Sequence, residues 1–349
     1  MTPSKVDYII IGQGIAGSMV AYFLLRQKKN ILVIDELNLH SSSNIAAGVI
    51  NPITGRRMVK SWMIDDLLPF AKSTYRELEK ELNARFFFEM EIIKFFSSPD
   101  DIRIWESKQS NPEYTGYMGT ITEINDETLH APFQAGIIHQ ACWMDVPLFV
   151  KSFRNMLKKN HLLLEENFDQ NLLKTDNLIS YKEIVAENII FCEGYKASLN
   201  PWFDFIPFTV AKGEHLIIRS DKLNQKEILN KNVFIIPKGN DIYNVGSTFS
   251  WDDLSDKVTE TGRTELIGKL NRMIKCEYTI IDEKAAVRPT IRDRRPVIGR
   301  HPIFNNVYIF NGLGTKGVSL SPYFANHFVQ YLAGNVHILP EISVNRFAV

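Results

Sequence analysis

The chain has 349 residues, 45% hydrophobic and 23% charged, which suits one large or two medium globular domains and excludes disorder and fibrous repeats. Its 40 basic side chains balance its 40 acidic ones, so the formal net charge is zero. Binding to a nucleic-acid backbone needs a positive surplus or a long basic stripe, and neither is present, so we expect no nucleic-acid partner.

Targeting and cysteine patterns favour the cytoplasm. No apolar run reaches the roughly 18 residues that cross a bilayer, and the apolar residues 15–25 follow a glycine-rich turn rather than a basic start. The three cysteines, Cys142, Cys192 and Cys276, are too far apart for a zinc site or a disulfide framework. The eight histidines form no HExxH pair, and no serine lies in GxSxG. We therefore expect a cytoplasmic chain with no membrane span, no metal site and no hydrolase site.

The chain begins with a βαβ pattern. A short β-rich run at 6–11 leads into a glycine-rich turn at 12–17, and a helical stretch follows at 18–28. A second β-rich run, 31–34, ends in Asp35. This order of strand, glycine turn, helix, strand and acid predicts a nucleotide-binding unit.

The turn at 12–17 reads GQGIAG and matches GxGxxG. Its glycines allow a tight turn, a close approach of the backbone to a pyrophosphate, and close packing of helix on strand. Free N–H groups at the helix N-terminus then favour the phosphate charge. Asp35 lies 21 residues beyond Gly14, where its carboxylate can accept a hydrogen bond from a ribose hydroxyl. The alternative is a glycine-rich turn with no ligand.

The rest of the chain alternates between α/β and strand-rich segments. A helix is predicted over 65–82, with Pro69 near its start, where a missing N–H costs least. In chain order there follow a strand-and-turn segment from 83 to about 145, a helix at 147–159, a buried run at 189–192, a strand-rich block at 207–281, and a strand at 307–310 leading into a helix at about 318–333. This alternation predicts a nucleotide-binding domain that is interrupted twice by a strand-rich domain.

A second GxGxxG match, GLGTKG, lies at 312–317 between a predicted strand and a predicted helix. Only 32 residues follow it, and no further strand ends in an acid, so it is not a second dinucleotide domain. Reductases that pass electrons from NADH to a flavin usually carry two complete fingerprints. We therefore expect the substrate to reduce the cofactor directly, although helix-to-strand packing alone could also explain this turn.

Two further segments invite a functional interpretation. The small residues at 42–52 could lie against a flat ligand, although surface loops often have this composition. Four arginines lie within residues 288–295, and such a run is more often a solvated face than a site. Arg288 differs, because it follows an apolar run and precedes Pro289, so we expect it to end a strand and point inward. His215 lies in a strand pattern and is predicted to be a satisfied core or wall residue rather than a base.

Together these segments resemble the D-amino acid oxidase family of FAD-dependent oxidoreductases, which includes glycine oxidase and sarcosine oxidase. The resemblance covers nearly the whole chain: IIIGQGIAGSMVAYFLL, ILVIDE and the AAGVINP loop, then IIFCEG and FIPFTVAKGEHL, and finally AAVRPTIRDRRPVIG with FNGLGTKGVSLSP, which is the most specific piece. It implies an α/β fold in which a Rossmann-like FAD-binding domain (1–82, 146–206 and 286–349) is interrupted by an antiparallel-sheet α+β substrate domain (83–145 and 207–285).

The resemblance also implies site residues. FAD would be held by four groups: Gly12, Gly14, Ile15, Ala16, Gly17, Asp35 and Glu36 at its adenosine diphosphate part; Ser43, Asn44, Ala47 and Gly48 in the flavin-side loop; Gly194 beside it; and Gly312, Gly314, Thr315, Lys316 and Gly317 at its pyrimidine end. Arg288 occupies the place of the arginine that pairs with the substrate carboxylate, and Lys316 is the second candidate catalytic residue. The final glycine turn has no cysteine, so the FAD is expected to be non-covalent.

The sequence also departs from the family pattern. Phe234 stands where glycine oxidase has a substrate-binding tyrosine, and Thr315 replaces a second arginine, which argues against a small free amino acid as substrate. The resemblance implies oxidation of the C–N bond of an amine or amino acid to an imine by hydride transfer to flavin N5, with oxygen or a quinone as electron acceptor. Two alternatives remain open: oxidation of a larger amine such as a tRNA-borne aminomethyl group, which the neutral charge disfavours, and a catalytically idle flavoprotein sensor.

Overall fold

The computed structural model describes residues 5–348, so the outermost residues of the predicted segments 1–82 and 286–349 lie outside the described range. The helices are α1 Ile15–Arg26, α2 Ser42–Ile45, α3 Ile64–Leu82, α4 Pro99–Gln109, α5 Val146–Lys159, α6 Glu260–Leu270 and α7 Gly317–Leu332. The strands are β1 Lys5–Ile11, β2 Ile31–Ile34, β3 Val49–Ile50, β4 Ile53–Thr54, β5 Val59–Lys60, β6 Phe87–Glu89, β7 Ile92–Phe95, β8 Met118–Thr122, β9 Ala135–Ile138, β10 Cys142–Met144, β11 Leu163–Leu164, β12 Leu173–Thr175, β13 Ile179–Tyr181, β14 Ile184–Phe191, β15 Ala211–Arg219, β16 Ile228–Asn230, β17 Phe234–Gly239, β18 Ile242–Gly246, β19 Thr279–Arg288, β20 Val297–Arg300 and β21 Val307–Asn311.

The first large sheet has a parallel centre. Its order is β11-β2-β1-β14-β13-β12, and β21 pairs with both β14 and β20. Strands β11, β2, β1, β14 and β21 run parallel, so their carboxyl ends meet at one edge. The turn at 12–17, Asp35, Gly194 and the turn at 312–317 all follow these strand ends, which is the edge where open α/β sheets bind ligands.

The second large sheet has the order β19-β15-β18-β17-β16-β7-β9-β8. It is mixed rather than purely antiparallel as predicted, because β16 and β7 run parallel. The two strands lie in two different segments of the chain, the predicted insertions 83–145 and 207–285. Each insertion brings its own antiparallel pairs, and no hairpin constrains the strand pair that joins them. The fold class is otherwise confirmed.

Three apolar cores hold these layers. The face of β1 and β2 that carries Ile10 and Val33 shares one core with α1, α3, α5 and α7. The opposite face packs in a second core, which contains Ile9. The third core lies between α6 and the face of the second sheet that carries Leu216. The other face of that sheet carries Phe234 and Ile236 and contacts the first core. It therefore faces the nucleotide-binding edge of the first sheet.

The structure corrects two local expectations. Pro69 is the sixth residue of α3, since the helix begins at Ile64. Its ring therefore removes one intrahelical hydrogen bond instead of replacing an amide that has no partner. The segment after residue 83 also contains a helix, α4, which the strand-and-turn prediction missed. No helix in residues 5–348 is both long and apolar enough to cross a membrane.

Candidate functional site

The turn between β1 and α1 requires glycine. Gly12 has φ +98°, and a Cβ there would lie 2.5 Å from the Cys192 carbonyl oxygen. A Cβ at Gly17 would collide with the Gly12 carbonyl oxygen. A Cβ at Gly14 would lie 2.9 Å from Ser43 Oγ. The backbone therefore passes close to its neighbours at all three glycines, as the motif predicts.

The amides of this turn divide into two sets. Gln13 donates its backbone N–H to Asp35 Oδ2 at 2.9 Å, and Ile15 donates its N–H to Ser43 Oγ at 3.0 Å. Across residues 5–348, the backbone N–H groups of Gly14 and Ala16 have no hydrogen-bond acceptor. Free donors at the start of α1, where the helix dipole is positive, fit the pyrophosphate of a dinucleotide.

The second glycine turn lies beside the first. A Cβ at Gly317 would lie 3.3 Å from Ile15 Cγ2, so the first residues of α1 and α7 are in contact. Gly312 and Gly314 have φ +75° and +54°, conformations that favour glycine. Two helix N-termini about 300 residues apart in sequence thus converge, which fits a ligand that carries negative charge at more than one point.

Asn311 joins this turn to the end of β14, and the sequence interpretation missed it. Its Nδ2 donates to the Gly194 carbonyl oxygen at 3.0 Å, and its Oδ1 accepts from the Gly312 N–H at 2.8 Å. The side chain is buried. An asparagine directly before a GxGxxG turn was the available signal, since an amide can satisfy one donor and one acceptor at once.

The predicted flavin-side loop is anchored to the start of α1 and to β10. Besides Ser43, its anchors are Trp143, which donates its indole N–H to the Ala47 carbonyl oxygen at 3.0 Å, and Asn44, which donates to the Asn38 carbonyl oxygen at 2.8 Å. Gly48 has φ +78°, and a Cβ there would collide with the Met144 carbonyl oxygen. These contacts hold the loop in place, as a wall for the predicted flat ligand would require.

Asp35 is anchored more firmly than the sequence suggested. Arg154 of α5 donates to Asp35 Oδ1 at 2.6 Å and also contacts Gln13 Oε1 at 3.2 Å. Burial raises the pKa of Asp35, and the bonds from Gln13 and Arg154 oppose this shift. Arg154 is a missed residue, and its signal was one arginine among the apolar positions of an amphipathic helix. The adjacent Glu36 forms an ion pair with Lys196.

Lys316 and Thr315 have different environments. Thr315 is exposed. Lys316 is the residue before α7, and its Nζ donates to Ser61 Oγ at 3.3 Å. Burial and the nearby Arg295 lower the pKa of Lys316. Arg295 itself lies over the Trp62 ring, with Cζ 4.2 Å from the ring centroid, whereas Arg292 and Arg294 are exposed, as expected for a solvated run.

Arg288 ends β19 and is buried, as predicted. Its side chain crosses Gly213 of the neighbouring strand, where any Cβ would collide with the guanidinium. Nη1 donates to the Lys212 carbonyl oxygen at 3.1 Å, and Nη2 donates to Ser247 Oγ at 2.6 Å and to the Thr248 carbonyl oxygen at 3.1 Å. No carboxylate in the described chain pairs with it. Burial lowers the pKa of Arg288 to about 10.

His215 lies on the same face of the sheet as Arg288, because Ala211 pairs with Arg288 and His215 with Lys284, each an even number of residues away. It is buried, and its Nδ1 lies 3.0 Å from Asn244 Oδ1. Burial, and then the charge of Arg288, lower the pKa of His215 to about 4. The ring is therefore neutral near pH 7, as expected of a satisfied wall residue.

A parallel sheet with two glycine turns at its carboxyl edge, facing a second sheet that carries a buried guanidinium, is the arrangement of a dinucleotide-binding fold. The family model described as "FAD dependent oxidoreductase" (DAO) matches residues 7–331. The chain therefore belongs to this family, and its cofactor is FAD. The resemblance inferred from the sequence is confirmed.

Several proteins resemble the chain along most of its length. The uncharacterised oxidoreductase YurR of Bacillus subtilis is 23% identical, covering 94% of this chain and 95% of that protein. Glycine oxidase of Bacillus subtilis is 21% identical, with 90% of each chain covered. The crystal structure of glycine oxidase from Geobacillus kaustophilus superposes with a TM-score of 0.82 at 18% identity, covering 96% of each chain. At such identities the structural likeness establishes the fold.

Proposed function

We propose that the protein oxidises the C–N bond of an amino acid, or of a related amine that carries a carboxylate, to an imine. The observation that carries this proposal is Arg288, a buried cation with no carboxylate partner in residues 5–348. A buried charge is costly unless it is paired, so a ligand carboxylate would compensate a deficit that the fold leaves open.

The hydrogen bonds of Arg288 leave room for such a ligand. Three of its N–H groups bond Lys212, Ser247 and Thr248. Since a guanidinium has five N–H donors, two remain for a substrate carboxylate. Charge-assisted bonds of this kind fix orientation as well as supplying energy. His215 lies on the same face, and because its ring is neutral it places no second full charge beside Arg288.

The remaining residues position the cofactor. When bound, FAD supplies the acceptor for the hydride that leaves the substrate carbon, and water then hydrolyses the imine. The glycine turns at 12–17 and 312–317 would hold its phosphates and pyrimidine end through the helix N-termini. Asp35 keeps lone pairs for a ribose hydroxyl, and Lys316 would place a cation near the pyrimidine end.

The test is anaerobic mixing of the holoenzyme with glycine, proline, D- and L-amino acids and N-methyl amino acids, while the flavin absorbance is followed. Bleaching needs no reoxidant, so oxygen and quinone acceptors do not affect the result. Arg288→Met should keep FAD and lose about 2–5 kcal/mol of kcat/KM for a carboxylate substrate. Arg294→Met, an exposed arginine six residues away, is the matched control and should change little.

Two outcomes would overturn the proposal. If no member of the panel bleaches the flavin, the protein is not an amino-acid oxidase. That result would favour the two alternatives, an idle flavoprotein or an oxidase of a larger amine. If Arg288→Met and Arg294→Met behave alike on a substrate that does bleach it, Arg288 is not the carboxylate partner.

A further inference from the structure

Two large aromatic side chains lie exposed next to Arg288. Phe249 and Trp251 are 53% and 63% exposed, and their rings are stacked at a centroid distance of 6.3 Å and an interplanar angle of 28°. Leaving this much apolar surface in water is unfavourable, and the loss is recovered only when something apolar covers it. Both side chains stay more than half exposed within the described residues 5–348.

Their position relative to Arg288 is fixed by direct contact. The Arg288 Cζ lies 4.3 Å from the centre of the Phe249 ring, a cation–π distance. The two residues that precede Phe249, Ser247 and Thr248, accept hydrogen bonds from Arg288 Nη2. The ring thus covers one face of the guanidinium, while the N–H of Nε and one N–H of Nη1 have no acceptor in the described chain.

The segment that carries the aromatic pair is anchored to two buried residues of β15, Lys212 and Glu214. Thr248 donates its backbone N–H to the Glu214 carbonyl oxygen at 3.2 Å, and its hydroxyl accepts from the Glu214 N–H at 3.0 Å. The backbone of Lys212 forms two hydrogen bonds with Ser250, at 2.8 and 3.1 Å. Its side chain is fully buried, and Nζ contacts Asp253 Oδ2 at 2.6 Å and Ser255 Oγ at 3.2 Å. Because the Lys212 carbonyl also binds Arg288, one residue holds both the arginine and the aromatic segment. The backbone that carries the two rings is therefore held in place by hydrogen bonds to buried residues.

We propose that Phe249 and Trp251 form the subsite for the substrate side chain, and that the substrate is an amino or imino acid with a large apolar or aromatic side chain. This inference rests on the proposed function, since it takes Arg288 as the carboxylate anchor. In an α-amino acid the side chain begins about 2.5 Å from the carboxylate carbon, two bonds away. A carboxylate bound by Arg288 therefore places the side chain next to Phe249, with Trp251 extending the same surface.

The proposal distinguishes large substrates from small ones. Glycine or sarcosine would use Arg288 but leave both rings in water. An aromatic or branched side chain would cover them, gaining apolar burial and ring stacking. The surface was not apparent in the sequence because a strand-rich block with scattered aromatics gives no sign of which rings stay uncovered.

The first experiment measures binding without turnover. Acetate and phenylacetate, which differ by one phenyl ring, are titrated into the holoenzyme, and dissociation constants are read from the flavin absorbance change. We expect phenylacetate to bind at least about 10-fold more tightly than acetate. Trp251→Ala should reduce the ratio of the two dissociation constants to about 3 or less without weakening acetate, because the ring that lies over Arg288 is that of Phe249. Phe249→Ala should also reduce the ratio, with some loss for acetate.

The control variants distinguish the aromatic subsite from the carboxylate anchor. Ile303→Ala removes an apolar side chain that is 78% exposed elsewhere, and it should leave the ratio unchanged. Arg288→Met should weaken both acids by a similar factor. A second readout is the rate of anaerobic flavin reduction. In Trp251→Ala, the rates with leucine and phenylalanine of either configuration should fall, whereas the rate with glycine should not.

The outcomes are distinguishable. If Trp251→Ala and Phe249→Ala keep the wild-type ratio while Arg288→Met weakens both acids, the subsite is refuted and the carboxylate anchor stands. An equal affinity for both acids in the wild type refutes the subsite in the same way. If Arg288→Met binds both acids as the wild type does, the proposed function fails and the subsite proposal falls with it.

Discussion

Gly213 is the residue on which the position of Arg288 depends. Its backbone conformation is open to other residues, but any Cβ would collide with the guanidinium that lies across it. Three hydrogen bonds hold that guanidinium, so it cannot move aside without losing them. The glycine is therefore required by a side chain on the neighbouring strand and not by a turn.

Gly213→Ala should therefore displace the Arg288 guanidinium from its position. We expect normal FAD content, because the substitution lies outside the glycine turns, and a loss of acetate affinity of about 10-fold or more in the same flavin titration, the scale of one or two lost charge-assisted bonds. Gly268→Ala is the matched control: it lies in α6 with no heavy atom near the added Cβ and should be neutral or stabilise the fold by about 0.5–1 kcal/mol. Unchanged acetate affinity in Gly213→Ala would contradict this role.

The turn at 12–17 makes a second prediction at the scale of one residue. In Gly14→Val, the Cβ would already lie 2.9 Å from Ser43 Oγ, and two further methyl groups have to fit between that hydroxyl and the bound phosphate. The purified variant should contain little or no FAD, measured as the flavin-to-protein absorbance ratio. A normal FAD content would remove the turn from the nucleotide site.

His215 makes a prediction about pH. Its pKa is about 4 in the folded chain, against 6.5 for an ordinary histidine, chiefly because of burial. Well above pH 6.5 the His215 ring is neutral in both the folded and the unfolded chain. As the pH falls from 6.5 towards 4, the unfolded chain binds a proton that the folded chain does not, so stability is lost, by up to about 3 kcal/mol. Denaturant unfolding at a series of pH values should show a shallower acid loss in His215→Gln than in the wild type.

The comparison of the wild type with His215→Gln is needed because Glu193 changes the pH dependence of stability in the opposite direction to His215. Burial raises its pKa from 4.5 to about 7, so the folded chain holds a proton that the unfolded chain releases, and stability falls as the pH rises through this window. Glu193 is present in both proteins, so its contribution cancels in their difference. Parallel stability curves for the wild type and His215→Gln would show that the histidine titrates normally in the folded state.

At the scale of elements, the sequence was informative where a pattern is local. Strand β2 occupies 31–34 as predicted, and the helix predicted at 65–82 begins one residue earlier. The first helix begins at Ile15, inside the glycine motif, because the last three motif residues already form its first turn. The missed helix α4 begins with Ser98, Pro99 and acidic residues, ordinary start signals that the apolar and aromatic residues before them obscured.

Contacts between distant elements could not be predicted from the sequence. The bond from Arg154 to Asp35 joins α5 to the end of β2 across 119 positions, and no local pattern specifies that pairing. The same holds for the contact between Gly317 and Ile15, which depends on the sheet order β1-β14-β21. Glycine spacing predicts that a turn can approach a ligand, whereas tertiary packing decides which two turns do so together.

The N-terminus of α7 makes the prediction at this scale. The helix dipole and the Lys316 charge both favour negative charge at the pyrimidine end of a reduced flavin. Lys316→Met keeps the backbone of the turn and removes the charge, so the flavin reduction potential should fall, by about 30 mV for each 1.4 kcal/mol lost. An unchanged potential, measured by dye equilibration, would mean that the bond from Nζ to Ser61 turns the charge away from the flavin.

At the scale of the whole molecule, the predicted domain segments can be set against the two sheets. The first sheet draws its strands from 5–34, 163–191 and 297–311, and the second from 92–138 and 211–288. The predicted boundary between 285 and 286 falls inside β19, and Arg288 is the last residue of that strand. A strand of the second sheet therefore carries the proposed substrate anchor directly back to the nucleotide-binding edge.

Because the proposed cofactor site is assembled from segments at 12–17, 35–48, 194 and 312–317, FAD should bind only the folded chain and stabilise all of it. A ligand present at about 1,000 times its dissociation constant adds about 4 kcal/mol to the free energy of unfolding. Denaturant unfolding of the apoprotein with and without FAD should show this shift in midpoint, and Gly14→Val should show none. A shift of equal size in the two proteins would mean that the stabilising FAD binds elsewhere, since the turn at 12–17 is the part of the site that the variant changes.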